Sequence, residues 1–179
     1  MLIICEQNGT QQERYLTQRK RQNMIASNKY NRGLRFEQFT IGDQFATASR
    51  TIRDSDIWAF SCLTGDWNPL HTDEEYCRTQ QFKTRIAHGL LIVSIGTGLA
   101  SQLLIFEGTS MGLLEARSSF LTAVKPGDTI RTIVKVIDKK EIQKYHDRGI
   151  ITYECDILNQ LNEKVAEMRW VVMIRKQGD

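Results

Sequence analysis

The residues best suited to chemistry lie in the stretch TGDWNPLH, residues 64–71. Asp66 supplies a carboxylate, and His71 supplies an imidazole five positions later, with Asn68 and Pro69 between them. Proline fixes its own φ and steers the preceding residue away from helical geometry, so we predict a rigid, irregular loop. A carboxylate and an imidazole held still in such a loop could contact one water molecule, which is the arrangement that general acid–base catalysis requires. Asn68 could orient either the loop backbone or that water.

The spacing of Asp66 and His71 leaves other interpretations open. The two residues could be a polar turn or surface pair without a chemical role, or two ligands of a metal site. Cys62 is near enough in sequence to be a thiol nucleophile, although its place on the apolar side of a helix favours burial in the core. Trp67 fits either packing or a lid over a pocket.

A second candidate is the His88-Gly89 pair, at the start of a long apolar segment. The first N–H groups of a helix have no partner inside the helix, and they lie at the positive end of its dipole. Gly89 has no side chain that would keep a ligand away from them. We therefore predict an oxyanion site at Gly89, able to polarise a thioester carbonyl.

The elements around the motif are two predicted short helices. The first is capped by Asp54 or Ser55 and stopped by Gly65, which places Asp66 directly after a helix. The second runs from about residue 73 to residue 79. Its N-terminus is predicted from the capping-box spacing of threonine and glutamate in the sequence TDEE that follows His71.

The apolar segment, residues 86–106, contains 21 residues without Asp, Glu, Lys or Arg. That length is enough for a membrane span of about 20 residues. Its glycine, serine, threonine, glutamine and histidine residues make it less hydrophobic than a typical span, however. We predict a helix around residues 89–105 that is enclosed within a domain rather than within a lipid bilayer.

The C-terminal half of the chain predicts strands, with the clearest alternation of apolar and polar residues in the last two. The predicted strands are residues 45–52, 116–124, 129–137, 151–157 and 166–174, with turns at KPGD (125–128), DRG (147–149) and NQLNE (159–163). Successive strands joined by short turns indicate an antiparallel meander. Because its apolar face needs a cover, we predict an α+β fold in which a curved sheet wraps around the long helix.

The N-terminal part of the chain differs from the rest. Residues 1–33 are polar and basic, with six basic and two acidic residues in the first 32, whereas the remainder is nearly neutral. We predict a poorly ordered extension at 1–33 and a single domain at 34–179. Met24 is an alternative translation start. The basic charge belongs to the extension, so it gives no support for nucleic-acid binding by the domain. Four dispersed cysteines and the absence of a signal-peptide pattern indicate a cytoplasmic protein.

The segment FSCLTGDWNPLHTDEEYCRTQQFKTRIAHGLL, residues 60–91, resembles the signature of the MaoC-like dehydratases, a family that includes (R)-specific enoyl-CoA hydratases. The features that match are a helix ending in Gly-Asp, the D-x-N-P-L-H core, and a His-Gly pair 17 residues after the motif histidine. A looser likeness extends from about Leu34 to the C-terminus and includes the KPGD turn.

This resemblance implies a hot-dog fold, assembled as a homodimer or larger homo-oligomer with active sites near the subunit interface. It implies that Asp66 and His71 are the catalytic dyad, which adds water across a trans-2-enoyl thioester or reverses that reaction. Gly89 would supply the oxyanion N–H, and Thr97 takes the place of a serine that supports the site in family members. The substrate would be an acyl-CoA or acyl-carrier-protein thioester, with no metal, no redox cofactor and no membrane or nucleic-acid partner.

Two alternatives remain on the same scaffold. A hot-dog thioesterase would use a carboxylate to direct water at the thioester carbonyl instead of the β-carbon. A non-catalytic acyl-thioester-binding or regulatory protein would not need both Asp66 and His71. The intact D-x-N-P-L-H loop favours the hydratase over both alternatives.

Overall fold

The computed structural model describes residues 32–178. The predicted N-terminal extension lies outside the described residues, except for residues 32 and 33, and so does the alternative start at Met24. Within the described range, the helices lie between the first two strands and the last four.

The strands form one antiparallel sheet in the order β1-β4-β5-β6-β3, with β2 also paired to β4. They are β1 (Gln44–Ala46), β2 (Arg50–Thr51), β3 (Ser110–Phe120), β4 (Thr129–Glu141), β5 (Arg148–Leu158) and β6 (Lys164–Arg175). The helices are α1 (Asp54–Thr64), α2 (Pro69–Thr72), α3 (Glu74–Thr79) and α4 (Gly89–Ser101), after a 3-10 turn at Phe36–Gln38. Consecutive pairing of β4, β5 and β6 confirms the predicted meander.

The alternation predicted for β5 and β6 is confirmed by burial. In β5 the buried apolar residues are Ile151, Tyr153, Cys155 and Ile157. In β6 the alternating buried residues are Ala166, Met168, Trp170, Val172 and Ile174, and Val165 at the start of the strand is buried as well. Antiparallel pairing aligns these residues across the two strands, for example Tyr153 with Trp170. They form one continuous apolar face, which gives the core its main surface.

Helix α4 packs closely against this face. Thr132 of β4 donates a hydrogen bond from its hydroxyl to the carbonyl of Gly96, at 3.2 Å. A Cβ atom at Gly96 would lie 2.6 Å from Cδ1 of Ile157, so glycine permits this close approach. The sheet and the long helix therefore form the α+β hot-dog arrangement predicted from the sequence.

Two properties of α4 differ from the expectation. The helix ends at Ser101, and a stripe along it, Leu90, Ser94 and Thr97, is exposed, so this single chain does not enclose the helix. Its 13 residues extend about 20 Å, compared with about 30 Å for the hydrocarbon core of a bilayer. Within residues 32–178, no helix has the length and hydrophobicity that crossing a membrane requires.

Several predicted strand bounds were wrong. β3 runs from Ser110 to Phe120, because pairing with β6 continues through residues that show little alternation and are mostly exposed. β4 continues to Glu141, because the charged residues after the β-branched run still pair with β5 across the hairpin. The predicted strand at 45–52 is split into β1 and β2, both of which pair with β4.

The predicted helix caps also need correction. Neither Asp54 nor Ser55 caps α1. The N-cap position is Arg53, and its N–H donates a hydrogen bond to the carboxylate of Asp56, the third residue of the helix, at 2.9 Å. Asp73, not the preceding threonine, caps α3 by accepting from the N–H of Tyr76 at 2.9 Å. The predicted stop of α1 is confirmed, since Gly65 has a φ of 77°.

Candidate active site

The loop that carries the motif contains a helical turn where an irregular loop was expected. Residues Pro69–Thr72 form α2, with proline at the start of the helix, where its missing N–H costs nothing. Asn68 caps this turn, because its side-chain oxygen accepts a hydrogen bond from the N–H of Leu70 at 3.0 Å. His71 therefore projects from a capped helical turn.

The ring of His71 is oriented by one hydrogen bond. Nδ1 lies 2.8 Å from the carbonyl oxygen of Ile86. A carbonyl can only accept, so Nδ1 carries the proton and, in the neutral ring, Nε2 has the free lone pair. The backbone of Ile86 thus makes Nε2 the nitrogen that can act as a base.

The short segment Ile86–His88, called the 86–88 segment below, connects the motif loop with the start of α4. The N–H of Ile86 donates to the carbonyl of Leu70 at 3.1 Å, which complements the bond from His71. The N–H of Ala87 donates to the carbonyl of Val124 at 2.7 Å. These bonds fix the segment on both sides.

Arg85 anchors the 86–88 segment to two helices. Its guanidinium binds Asp54 of α1 at 2.8 Å and Glu74 of α3 at 3.0 Å, and its side chain is largely buried. The hydrogen bond from Arg85 is the main cause that lowers the pKa of Glu74 below its ordinary value. The segment is therefore held by an ion-pair network outside the dyad.

Asp66 lies at the start of the loop with its side chain about half exposed. One carboxylate oxygen accepts a hydrogen bond from the N–H of Asn68 at 3.2 Å. Its backbone carbonyl lies 3.1 Å from Nε2 of His88. The backbone of Asp66 is thus held from the protein interior, while its carboxylate remains accessible.

The structure brings Asp66, His71 and His88 together. One carboxylate oxygen and one nitrogen of each imidazole all lie within 4.8 Å of one another. Two hydrogen bonds of about 2.8 Å that meet at one water oxygen span about 4.6 Å, so a single water can bridge Asp66 and His71. Asp66 and His71, five residues apart in the sequence, therefore lie at a distance in the structure that suits acid–base chemistry.

The same three groups are a poor fit to a metal ion. The rings of His71 and His88 are stacked, with centroids 3.7 Å apart and planes inclined by 30°. A metal is bound by an imidazole lone pair in the plane of the ring, and the lone pairs of two stacked rings do not readily converge on one point about 2.1 Å from each nitrogen. Metal binding would require one of the rings to turn.

His88 belongs to the His-Gly pair of the motif, but the sequence alone does not assign a role to its side chain. It is 3% exposed and also contacts the ring of Phe60, at 5.0 Å between centroids, and the hydroxyl of Ser61, 3.3 Å from Nε2. Burial is the main cause that lowers the pKa of His88, and the nearby His71 acts in the same direction. The sequence signal was a histidine directly before the first residue of the uncharged helix.

Gly89 is the first residue of α4, as predicted. A Cβ atom at this position would lie 2.8 Å from the ring of Phe120, which is half exposed at the end of β3. The absence of a side chain thus lets Phe120 lie against the N-terminus of α4. This contact could not be predicted from the sequence, because it joins residues far apart in the chain.

Thr97 lies apart from the hydrogen bonds of Asp66 and His71. Its hydroxyl donates to the carbonyl of Val93 at 2.8 Å and contacts the sulfur of Met168 at 3.8 Å. It also lines a mainly apolar groove of about 420 Å³ between α4 and the sheet. The other lining residues are Ser101, Leu104, Phe106, Glu107, Ser110, Leu113, Trp170 and Val172.

The expected burial of Cys62 was wrong. Cys62 is exposed, and the buried residues of α1 are Ile57 and Ser61, because Ser61 lies against His88. Trp67 is also about half exposed, and its ring lies 5.6 Å from that of Trp58 on the same surface. The apolar residues of α1 therefore did not predict which face of the helix is buried.

Comparison with known proteins gives the same family for both sequence and fold. Residues 36–155 match the MaoC like domain. An (R)-specific enoyl-CoA hydratase of Rhodospirillum rubrum is 38% identical over 106 residues, which cover 56% of this chain and 68% of that protein. The family match includes the motif loop, the 86–88 segment and α4.

Two solved structures with the same fold match most of this chain and nearly all of their own length. The MaoC-like dehydratase of Rhodospirillum rubrum has a TM-score of 0.72 at 26% identity, covering 82% of this chain and 100% of that one. An Archaeoglobus protein described as a monoamine oxidase regulatory protein has a TM-score of 0.76 at 31% identity, covering 82% and 97%. The chain therefore belongs to the MaoC-like dehydratase family.

Proposed function

We propose that this protein reversibly adds water to a trans-2-enoyl thioester to give a 3-hydroxyacyl thioester, with Asp66 and His71 as the catalytic dyad. Two observations carry the proposal. The bond from His71 Nδ1 to the carbonyl of Ile86 leaves Nε2 as the free nitrogen, and the Asp66 carboxylate lies within 4.8 Å of the His71 imidazole. The relatives named as enoyl-CoA hydratases, from Rhodospirillum rubrum and Aeromonas caviae, support this reaction class.

The proposed hydration begins with a water held between Asp66 and His71. Nε2 of His71 accepts one proton of the water while its oxygen bonds to the β-carbon, and the carbon–carbon double bond becomes an enolate. The dyad returns that proton to the α-carbon, so Asp66 and His71 end in the protonation state in which they began. Dehydration follows the same steps in reverse.

The enolate needs stabilisation at the thioester oxygen, and Gly89 is the residue that we assign to it. The N–H of Gly89 is the first of a 13-residue helix, so it has no acceptor inside the helix and lies at the positive end of the dipole. A donor directed at the developing oxyanion contributes about 10² to 10³ in rate in other enzymes. Neither a metal nor a redox cofactor has a step in this mechanism.

The groove beside Thr97 is our candidate for the acyl chain. Gly89 and Thr97 are eight residues apart on α4, about 12 Å along the helix axis. The groove is mainly apolar, and its residues Trp170 and Val172 come from the buried face of β6. A chain that runs from the thioester along α4 would reach the groove only when it is several carbons long.

We also propose that a second copy of the chain covers β3 and the exposed stripe of α4. The exposed apolar residues there are Leu90, Leu113, Leu114, Phe120 and Leu121, each more than half exposed or nearly so. β3 is an edge strand of 11 residues, and an uncovered edge of that length is a template for pairing with another chain. Light scattering after size-exclusion chromatography should give twice the chain mass, and a monomer would contradict this assembly.

The test of the function is an assay with purified protein and a series of trans-2-enoyl-CoA thioesters, from crotonyl-CoA upward, and with carrier-protein thioesters. Loss of the enoyl absorbance without release of free thiol is the expected result. Thiol release would identify a thioesterase instead. Binding of the thioesters without either change would identify a non-catalytic binding protein. We place the activity in the cytoplasm, because the cysteines are dispersed and Cys62, Cys77 and Cys155 are free thiols.

A further inference from the structure

His88 contacts both members of the proposed dyad from inside the protein. Its Nε2 lies 3.1 Å from the backbone carbonyl of Asp66, and its ring is stacked on that of His71 at 3.7 Å between centroids. The carboxylate of Asp66 is farther away, at 4.0 Å from Nε2. No other described side chain has both of these contacts.

The carbonyl of Asp66 decides which nitrogen of His88 carries the proton. A carbonyl only accepts, so a neutral ring must place its hydrogen on Nε2, between the Asp66 carbonyl and the Ser61 hydroxyl. Nδ1 is then an unprotonated acceptor. It is buried and has no hydrogen-bond partner among the described residues.

This arrangement is unfavourable for a residue that only fills space. A buried polar atom without a partner costs about 1 to 3 kcal/mol in other proteins, and a phenylalanine or leucine at residue 88 would avoid that cost. A structural histidine in a core normally has both nitrogens satisfied. Besides Ser61 and Phe60 of α1, the His88 ring contacts the two dyad residues, and these contacts give a reason for an imidazole at this position.

The charge state of His88 also suits the site. The titratable groups that act on its ring are the imidazole of His71 and the carboxylate of Asp66, while Ser61 and Phe60 from α1 do not titrate. Burial disfavours a charge on His88. A ring that stays neutral leaves His71 as the only imidazole of the pair that takes up the proton, and its π face can support the imidazolium that forms.

We infer that His88 is a positioning residue that joins the two halves of the dyad. It holds Asp66 through the Nε2–H bond to the carbonyl and holds the plane of the His71 ring by stacking. This inference rests on the proposed function, because it concerns the same reaction. It adds a third residue that acts through the other two and does not touch the substrate.

Two variants separate the two contacts. His88→Gln keeps an N–H donor for the Asp66 carbonyl and loses the stacked ring, whereas His88→Phe keeps the ring and loses the donor. We expect each to lower kcat by about tenfold or more, with KM changed by less than about threefold. His146→Gln, in the exposed turn before β5, is the matched control and should keep wild-type kinetics.

A double-mutant comparison distinguishes positioning from general structural support. If His88 acts through the dyad, adding His88→Gln, which removes the stacked ring, to His71→Ala should lower the residual activity no further. A second loss of the same size in that background would overturn the inference. So would wild-type kcat values in both His88→Gln and His88→Phe.

A measurement on the wild-type protein keeps the test valid if the variants fold poorly. The chain has three histidines, so their ring nitrogens can be resolved by ¹⁵N NMR and assigned with His146→Gln. We expect His88 to be neutral with its proton on Nε2 throughout the pH range of activity, and His71 to be protonated on Nδ1. A charged His88, or one protonated on Nδ1, would overturn the inference. Inactive wild-type protein with the expected tautomers would instead reject the proposed function.

Discussion

The sheet face under α4 and the loop of residues 64–73 are held in place by different interactions. The side chains on the sheet face are almost wholly buried and apolar, and antiparallel pairing fixes their positions. The loop is mostly exposed, and backbone hydrogen bonds, a cap and the contacts of His88 fix it. Changes in the sheet should therefore affect stability, and changes in the loop should affect chemistry.

The largest effect on activity is expected from the dyad. Asp66→Asn and His71→Ala should each lower turnover by about 10²-fold or more, because each removes a group that handles the proton. Both residues are partly or largely exposed, so the melting temperature should change little. Enoyl-CoA hydration and thermal unfolding measure the two properties. Asp138→Asn, on an exposed position of β4, is the control, and full activity of either dyad variant would refute the assignment.

The sheet should show the opposite response. Ile157 is fully buried and lies beneath Gly96 of α4. Ile157→Ala should lower the free energy of unfolding by about 2 to 5 kcal/mol, because it removes buried methyl groups and leaves a cavity. Denaturant unfolding gives this energy, and activity per folded molecule should remain close to that of the wild type. A large loss of activity at unchanged stability would mean that the two regions are not separable in this way.

Removing the cap of α2 should have a smaller effect, on both stability and activity. Asn68→Ala removes the acceptor for the Leu70 N–H and should cost about 0.5 to 2 kcal/mol. Because His71 stands on this turn, we expect kcat to fall by about tenfold, as small displacements of catalytic groups do elsewhere. Asn68→Asp keeps an acceptor and should recover most of kcat. Equal losses in the alanine and aspartate variants would show that the cap is not the reason.

The smallest effect concerns pH and stability. Burial lowers the pKa of His88, so near pH 6 the folded chain binds fewer protons at this site than the unfolded chain does. The free energy of unfolding should therefore fall as the pH drops below the unfolded value of about 6.5. As the pH is lowered from about 7 to about 5, the melting temperature should fall more steeply for the wild type than for His88→Gln. Equal slopes would contradict a buried, neutral His88.

Much of the fold was predictable because its signals are local. The alternation in β5 and β6 reflects a face that is buried along its whole length, and the turn at KPGD is confirmed by Gly127 with a φ of 95° and a hydrogen bond from the Asp128 N–H to the Lys125 carbonyl. β3 was harder to place, because most of its side chains are exposed in a single chain and its pairing with β6 leaves no pattern in the sequence.

The site was predictable in its residue types but not in its geometry. Asp66 and His71 could be identified from the motif. The irregular loop predicted around Pro69 is a helical turn instead, because proline is favoured at the first position of a helix. The buried face of α1 depends on its contact with His88, so the apolar residues of the helix were misleading about Ser61 and Cys62. Such contacts depend on segments that are distant in sequence.

The most direct test of the account is hydration of a trans-2-enoyl-CoA in ¹⁸O-labelled water by the wild type and by His71→Ala. Mass spectrometry then locates the labelled oxygen in the product. We predict that the wild type places it in the 3-hydroxyl group of an intact thioester, and that His71→Ala forms almost none of this product. Label in a free carboxylate, or equal formation of the labelled hydroxyl by both proteins, would contradict the central claim.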